Sequence, residues 1–542
     1  MIMKGWRLLI AGWLMILLLD SCGGASTNGQ QPADSTAKRK EVIDISIPGG
    51  FSDQVKLHFD STLLSSFLQH YPAFSAFKNE LQNFYSKREY AYAWYDDKGL
   101  IEQAGNLFNR IMNISDDGLP DKMPYRDSFR VTMDSLQRIN NVKIPDAETE
   151  LMLTAQYFAY AKIAWQGLSE KDSKALDWNL PRRQVNLLQL MDSLLNDGSA
   201  FIADEPVYRQ YGLLKKYLKI YRDIETKNGW ETIKPDKKKY EPGDSSLVIS
   251  QIRQHLFLLG DIETATNSSV YDEGLVKGIK AFQKRLGLRQ DGIIGANFLK
   301  EINYPISQRI EQIIVNMERC RWLPEQPKGD YLAVNIPEFS LHAYHNDSLL
   351  WSMNVVVGKA VHETVIFSGE LKYVVFSPYW NVPASILQNE ILPGIRRNPN
   401  YLKKHNMEWA GKSVRQKPGP SNSLGLVKFL FPNSYNIYLH DSPAKSLFNE
   451  DKRAFSHGCI RVSKPRDLAK WLLRNYPEWT DEKIDKAMSA GKEQYFTLKE
   501  TVPVFIAYFT AWVDREGKLN FREDIYKRDS RLARMIIENP GI

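Results

Sequence analysis

The chain has 542 residues, 43% of them hydrophobic and 12% aromatic, and its 71 Lys and Arg exceed its 64 Asp and Glu by seven. This is enough apolar material for two or three cores, which excludes a disordered chain. The mild basicity suits an anionic polymer or lipid surface, and no aromatic-basic module points to nucleic acid. Only Cys22, Cys320 and Cys459 occur, which excludes a disulfide framework.

Lys4 and Arg7 precede an apolar run from Leu8 to Leu19, too short for a comfortable membrane span and right for the core of a signal peptide. The run ends Leu19-Asp20-Ser21-Cys22-Gly23-Gly24, which resembles a lipoprotein processing site. Residues 1–22 are expected as the signal peptide, with Cys22 as the lipidated mature terminus that holds the chain to a membrane. Asp20 is an unusual occupant of its position and leaves an uncleaved anchor or a plain secretory signal open. Residues 23–41 are polar, as a tether to a folded domain would be.

Residues 42–235 read as helical, with Phe84-Tyr85, Ala93-Trp94-Tyr95 and the run Ala155 to Tyr160 as markers. His58 and His70 are isolated there and carry no chemistry. Within 236–304, Val248, Ile252, Leu256 and Leu259 recur at helical spacing, as do Leu275, Ile279, Phe282 and Leu286. Turn residues Gln290-Asp291-Gly292 and Gly295 then precede a third short helix through Phe298-Leu299, which makes a small three-helix unit. A helical entry, Ile313 to Trp322, opens residues 305–515 and carries Cys320, expected as a packed core residue. Between about 383 and 420 the connection is too long for a hairpin, and Ile386, Leu387, Ile391, Leu392 and Ile395 fall at helical spacing. A lid or binding element is the usual occupant of such a stretch. Residues 516–542 are left as a C-terminal extension.

The chemistry concentrates in Tyr438-Leu439-His440-Asp441 and Ser456-His457-Gly458-Cys459-Ile460-Arg461-Val462. A free thiol titrates near ~8.5, so a cysteine that attacks carbonyls at neutral pH needs a base or positive potential beside it. His440 lies sixteen positions before Ser456, enough for one strand to end and a second to return next to it, so His440 and Cys459 are expected across neighbouring strands. The Gly458 and Cys459 amides are expected to face a developing oxyanion. Arg461, two residues on, shares a strand face with Cys459 and offers a fork for a carboxylate. Zinc on His440, His457 and Cys459 is an alternative that lacks a CxxC or HxxxH anchor.

These residues resemble the YkuD-type L,D-transpeptidase catalytic domain, and Arg461 points to its larger YcbB-like branch. Val357-Gly358 with Thr364, the run Val374 to Pro383, and Asn422 to Gly425 with Lys428-Phe429 resemble the same branch. Val365 departs from it, where proline is usual. Ala281-Phe282-Gln283 with Asp291-Gly292 and Gly295 resembles a peptidoglycan-binding domain, and 42–235 resembles the branch's helical scaffold domain. The resemblance implies a multidomain α+β protein: a mostly β catalytic domain with a helical capping insertion, a three-helix peptidoglycan-binding domain and a helical scaffold. It implies Cys459 as nucleophile, His440 as base, Asp441 as the residue orienting that base, and His457 with Gly458 shaping the donor and oxyanion sites. Arg461, Tyr438, Ser456 and Asn422 are then the substrate-binding set. The implied activity is transfer from a donor tetrapeptide stem to an acceptor stem of peptidoglycan, forming 3→3 cross-links in the periplasmic cell envelope without cofactor or metal. L,D-carboxypeptidase action on the same donor, or a non-catalytic wall-binding lipoprotein, are the alternatives.

Overall fold

The computed structural model describes residues 57–138, 144–196, 207–227, 230–264 and 266–538. Cys22, the signal peptide and the tether lie outside the described residues. Among those described, no helix is long and apolar enough to cross a membrane.

Eight strands build a barrel: β1 (Asp330–Asn335), β2 (Ser340–His345), β3 (Ser348–Gly358), β4 (Ile366–Phe376), β5 (Val427–Leu430), β6 (Leu439–His440), β7 (Ile460–Val462) and β8 (Gln494–Ala507). Their hydrogen-bonded order is β5-β6-β7-β3-β2-β1-β8-β4, and β4 also pairs with β5, so the sheet closes on itself. β6 and β7 run parallel, as do β1 and β8. Two-residue periodicity decides what each face carries. Val427 and Phe429 of β5, Leu439 of β6, and Ile460 and Val462 of β7 enter the apolar core. Lys428, His440 and Arg461 alternate with them and therefore occupy the other face. They form one cross-strand row, with Lys428 opposite His440 and His440 opposite Arg461.

The segments flanking this barrel share its interior. Trp178–Asn179 pairs with β4 in parallel, and Leu168, Leu176, Trp178 and Leu180 join the barrel core. Residues 516–538 are not an appendage: Leu519 and Phe521 sit in a second core, and Leu532, Ala533 and Ile536 of helix Asp529–Glu538 pack into the barrel. Apolar residues at helical spacing in that last helix have nowhere else to be buried. A separate aromatic-rich core holds the helices between residues 59 and 191, with Trp94, Tyr157 and Trp165 inside.

The small three-helix unit is as expected, with helices Leu247–Leu258, Glu273–Arg285 and Ala296–Ile302. Gln283 ties it together: its amide nitrogen donates to Asp291 Oδ1 at 2.8 Å, and its amide oxygen accepts from the Gly292 nitrogen at 2.9 Å. The helix Gln210–Thr226, the three-helix unit and helix Ile306–Arg321 contribute to one shared core.

A buried polar knot joins the scaffold side to helix Ile306–Arg321. Glu318 accepts from the Leu168 amide at 2.6 Å and from Trp322 Nε1 at 2.9 Å, and pairs with Arg321 at 2.8 Å. Arg321 in turn donates to the Ala164 and Asp117 carbonyls at 2.8 and 3.1 Å. Gly167 lies against this carboxylate with φ +66°, and a Cβ there would come 2.2 Å from Glu318 Oε1. Glu318→Ala would leave the Arg321 charge buried without its carboxylate. The expected cost is about 3–5 kcal/mol, read as a lowered midpoint in urea unfolding.

The capping insertion adds a three-stranded sheet to the expected helices. Trp380–Asn381, Ser413–Gln416 and Met407–Ala410 pair in that order. Helices Leu392–Arg397 and Tyr401–Lys404 pack with them around Val382, Ile391, Met407 and Val414.

Candidate active site

The parallel register of β6 and β7 builds the site. The Ile460 amide donates to the Tyr438 carbonyl at 3.2 Å, which sets Cys459 beside Tyr438 as His440 sits beside Arg461. All four side chains then fall on the face opposite the core. The Tyr438 hydroxyl is pushed up by burial and by the Cys459 thiol nearby, and its ring lies edge-on to His440 at 5.7 Å between centroids. Cys459 is partly buried, and its thiol donates a long bond to the Asn436 carbonyl at 3.6 Å. Burial pushes this thiol up, against the opposing pull of its Tyr438 bonds and the Arg461 charge.

His440 is buried, and its Nδ1 lies 2.5 Å from the Asp441 carbonyl oxygen. A carbonyl only accepts, so Nδ1 carries the proton and Nε2 keeps its lone pair. Burial, with the Arg461 and Lys428 charges nearby, pushes this imidazole down to about 3, so it is neutral at pH 7. Asp441 thus meets the imidazole through its backbone oxygen, and its carboxylate is engaged elsewhere. Its oxygens accept from the Leu426 amide at 2.9 Å and the Ser442 amide at 2.7 Å, and pair with Lys445. The residue holds His440 through its backbone because the side chain leaves β6 in the opposite direction.

The turn before Cys459 is held by its own hydroxyls. Ser456 is buried, and its Oγ donates to the Cys459 carbonyl at 2.6 Å and accepts from the Gly458 amide at 3.1 Å. Ser456 is thus a staple rather than a substrate contact, and the Gly458 amide, expected at the oxyanion, is already used. The Cys459 amide has no protein acceptor among the described residues and remains as the backbone donor. Gly458 has φ +112°, a conformation that a side chain would strain.

Asn422, placed in the substrate-binding set, is completely buried. Its amide nitrogen donates to the Pro378 and Lys417 carbonyls at 3.0 and 2.9 Å, and its oxygen accepts from the Leu424 amide. It ties together the two ends of the capping insertion. His457 is exposed, with its ring 5.0 Å from that of His362 and its Nε2 3.5 Å from Glu390 of the insertion. Arg461 lies in the site with its Nε buried and without a hydrogen-bond partner. Among the described residues no three His, Cys, Asp or Glu side chains converge as a metal site.

The description "L,D-transpeptidase catalytic domain", of YkuD type, fits residues 329–503, "Scaffold domain" fits 79–218, and "Putative peptidoglycan binding domain" fits 248–302. The chain carries a YkuD-type L,D-transpeptidase catalytic domain. A relative from Haemophilus influenzae named "Putative L,D-transpeptidase" is 32% identical over 243 residues, which are 41% of this chain and 49% of that protein. The chain thus spans about half the length of the curated relative it matches. Crystal structures of L,D-transpeptidases from Stackebrandtia nassauensis and Xylanimonas cellulosilytica are 15% and 14% identical, with TM-scores of 0.23 and 0.17. Each covers 51% of this chain, and 97% and 100% of its own.

Sequence reading missed the support behind the Gly458 turn. Thr364 Oγ1 donates to the Gly458 carbonyl at 2.8 Å and accepts from the Gly358 amide at 2.9 Å. The Tyr526 hydroxyl accepts from the Thr364 amide at 3.1 Å and donates to the Gly358 carbonyl at 2.6 Å. Thr364 was visible only as part of a motif, and Tyr526, 67 positions beyond Cys459, carried no local signal. Both brace the turn that carries Cys459 from behind. Thr364→Val is expected to slow Cys459 acylation on the order of 10²-fold, the scale of an ångström misplacement, with unchanged KM. Thr364→Ser, which keeps both hydrogen bonds, should restore most of the rate; equal losses in both variants, tracking their melting temperatures, would make the role merely structural.

Proposed function

We propose that this chain is a murein L,D-transpeptidase that forms 3→3 cross-links through a Cys459 thioester. The reading rests above all on one arrangement: Tyr438, His440, Cys459 and Arg461 on a single face of two parallel strands. Cys459 Sγ attacks the carbonyl carbon between meso-diaminopimelate at position three and D-alanine at position four of the donor stem, while His440 Nε2 takes the thiol proton. The Cys459 amide and the Tyr438 hydroxyl meet the oxyanion. As the tetrahedral intermediate collapses, the C–N bond breaks and His440 gives the proton to the departing amine, so D-alanine leaves. The side-chain amine of diaminopimelate on a second stem then attacks the thioester, forming the new amide and returning the thiol. Water in place of that amine makes the same site an L,D-carboxypeptidase.

Arg461, with a buried Nε left without a partner, suits the donor's carboxylate. The neutral imidazole and the un-ionised thiol mean that the proton moves during attack rather than before it. Cys22 would anchor the chain in the cell envelope as a periplasmic lipoprotein. The deciding experiment supplies purified tetrapeptide stems and follows free D-alanine together with the intact protein mass. Release of D-alanine with a transient acyl adduct and a 3→3 dimer supports the proposal. Binding of stems with no D-alanine released would favour a non-catalytic wall-binding protein.

A further inference from the structure

Between residues 383 and 420 the capping insertion holds seven Lys and Arg and only two acids, Glu390 and Glu408, in a chain whose whole excess of positive charge is seven. Glu408 neutralises Arg415 and Lys417, at 2.7 and 3.1 Å. The other five are Arg396 and Arg397 at the end of helix Leu392–Arg397, Lys403 and Lys404 at the end of helix Tyr401–Lys404, and Lys412 in the turn between two strands. All five are exposed, and among the described residues none has an ion-pair partner within the 4 Å at which the other pairs form. The two helices pack together, joined by Asn398, Pro399 and Asn400, so their four cations share one small region. Trp409, on the strand that follows, is 54% exposed although the insertion has an apolar core that could have taken it.

A solvated surface ordinarily intersperses both signs. Here five unpaired cations occur with no free acid among them except Glu390, which faces His457 at 3.5 Å. That contact also ties the insertion to the turn carrying Cys459. Charge of one sign next to a reactive centre raises the local concentration of an oppositely charged substrate.

We propose that the capping insertion is a docking surface for the carboxylate-bearing stem peptides of peptidoglycan, held by Arg396, Arg397, Lys403 and Lys404. The inference rests on the L,D-transpeptidase reading of Cys459, because that reaction brings a polymer with many free carboxylates to the insertion. The stems next to the one being cleaved meet the cations, and the row Lys428, His440 and Arg461 remains for the reacting stem. Attraction of this kind is confined to about 8 Å at physiological ionic strength, so it acts on stems already at the site.

The test measures binding of the full chain to purified sacculi by co-sedimentation. Native sacculi are compared with sacculi whose carboxyl groups have been amidated, each against wild type and the quadruple variant Arg396→Gln, Arg397→Gln, Lys403→Gln, Lys404→Gln. The peptidoglycan-binding domain is identical in wild type and variant, so the difference between them on each kind of sacculus reports the insertion. Amidation is expected to weaken wild-type binding about tenfold, within the range of electrostatic enrichment, and to leave the variant nearly unaffected. Equal binding of native sacculi by wild type and variant, or an undiminished amidation loss in the variant, overturns the proposal. Adduct formation by a carbapenem, which carries no polymer, is followed in parallel. If wild type forms no adduct while the charge-dependent binding persists, the enzyme reading fails and the docking surface stands as a wall-binding one.

Discussion

Cys459→Ala is expected to remove every trace of carbapenem adduct from the intact protein and to lower D-alanine release on the order of 10⁴-fold or more, the usual cost of losing a nucleophile that acts as a unit with its base. The fold should survive. The thiol is held by a long bond to the Asn436 carbonyl, and the change to alanine removes a single sulfur atom, so little space opens. The adduct is assignable because Cys320, the other thiol among the described residues, is fully buried and its pKa is pushed up by that burial. Intact-protein mass spectrometry of wild type and variant after the same incubation decides the matter. An adduct of equal yield on the alanine variant would sink the assignment of Cys459.

His440→Ala should cost on the order of 10²–10⁴ in acylation rate, the range for a positioned base, and should change its pH dependence. The wild-type imidazole, held down to about 3, stays a free base well below neutrality. The acylation rate is therefore expected to hold nearly level from pH 8 down to about 5. In the variant only the thiolate reacts, and because the Cys459 thiol is pushed up, the residual rate should climb about tenfold per pH unit through pH 7–9. A wild-type rate that falls through an apparent pKa near 6.5 would show instead that His440 titrates as in water.

The same shift has a stability sign. Folded His440 binds its proton only near pH 3 whereas the unfolded residue does so near 6.5. Between those values the unfolded chain holds more protons, so stability is fully present above about pH 6.5 and is lost as pH falls towards 3. Thermal melts of wild type and His440→Gln across that window should converge as the pH drops, since the variant lacks this titration. Parallel curves would contradict the shift.

Much of the architecture was legible because it is written in local periodicity. Apolar residues at helical spacing marked the three-helix unit, and Gln283 and Asp291 were recognisable because the bonds joining them close over eight residues. The two-residue spacing of Cys459 and Arg461 likewise placed both on one strand face, opposite the core residues Ile460 and Val462. The insertion's strands were harder to see, since Met407–Ala410 and Ser413–Gln416 are four residues each, too short for a clear period. Which group of Asp441 meets the imidazole was not legible, because adjacency to His440 in the chain does not decide direction. A strand sends neighbouring side chains to opposite faces, so the carboxylate turned to Leu426 and Ser442 while the backbone oxygen met the imidazole.

By itself the sequence determined which chemical groups are present and at what spacing: a thiol after a glycine turn, a histidine one strand earlier, a long insertion upstream of both, and helices and strands whose apolar faces need covering. Tertiary structure decided how those groups are used. Parallel pairing of β6 with β7 set Tyr438 against Cys459, burial made His440 a neutral base, and packing of the C-terminal segment carried Tyr526 to Thr364 and Gly358. The physical reason is range. Periodicity and turn chemistry act over a few residues, whereas register, desolvation and contacts between segments over 160 positions apart, as Tyr526 and Gly358 are, exist only once the whole chain has closed around its cores.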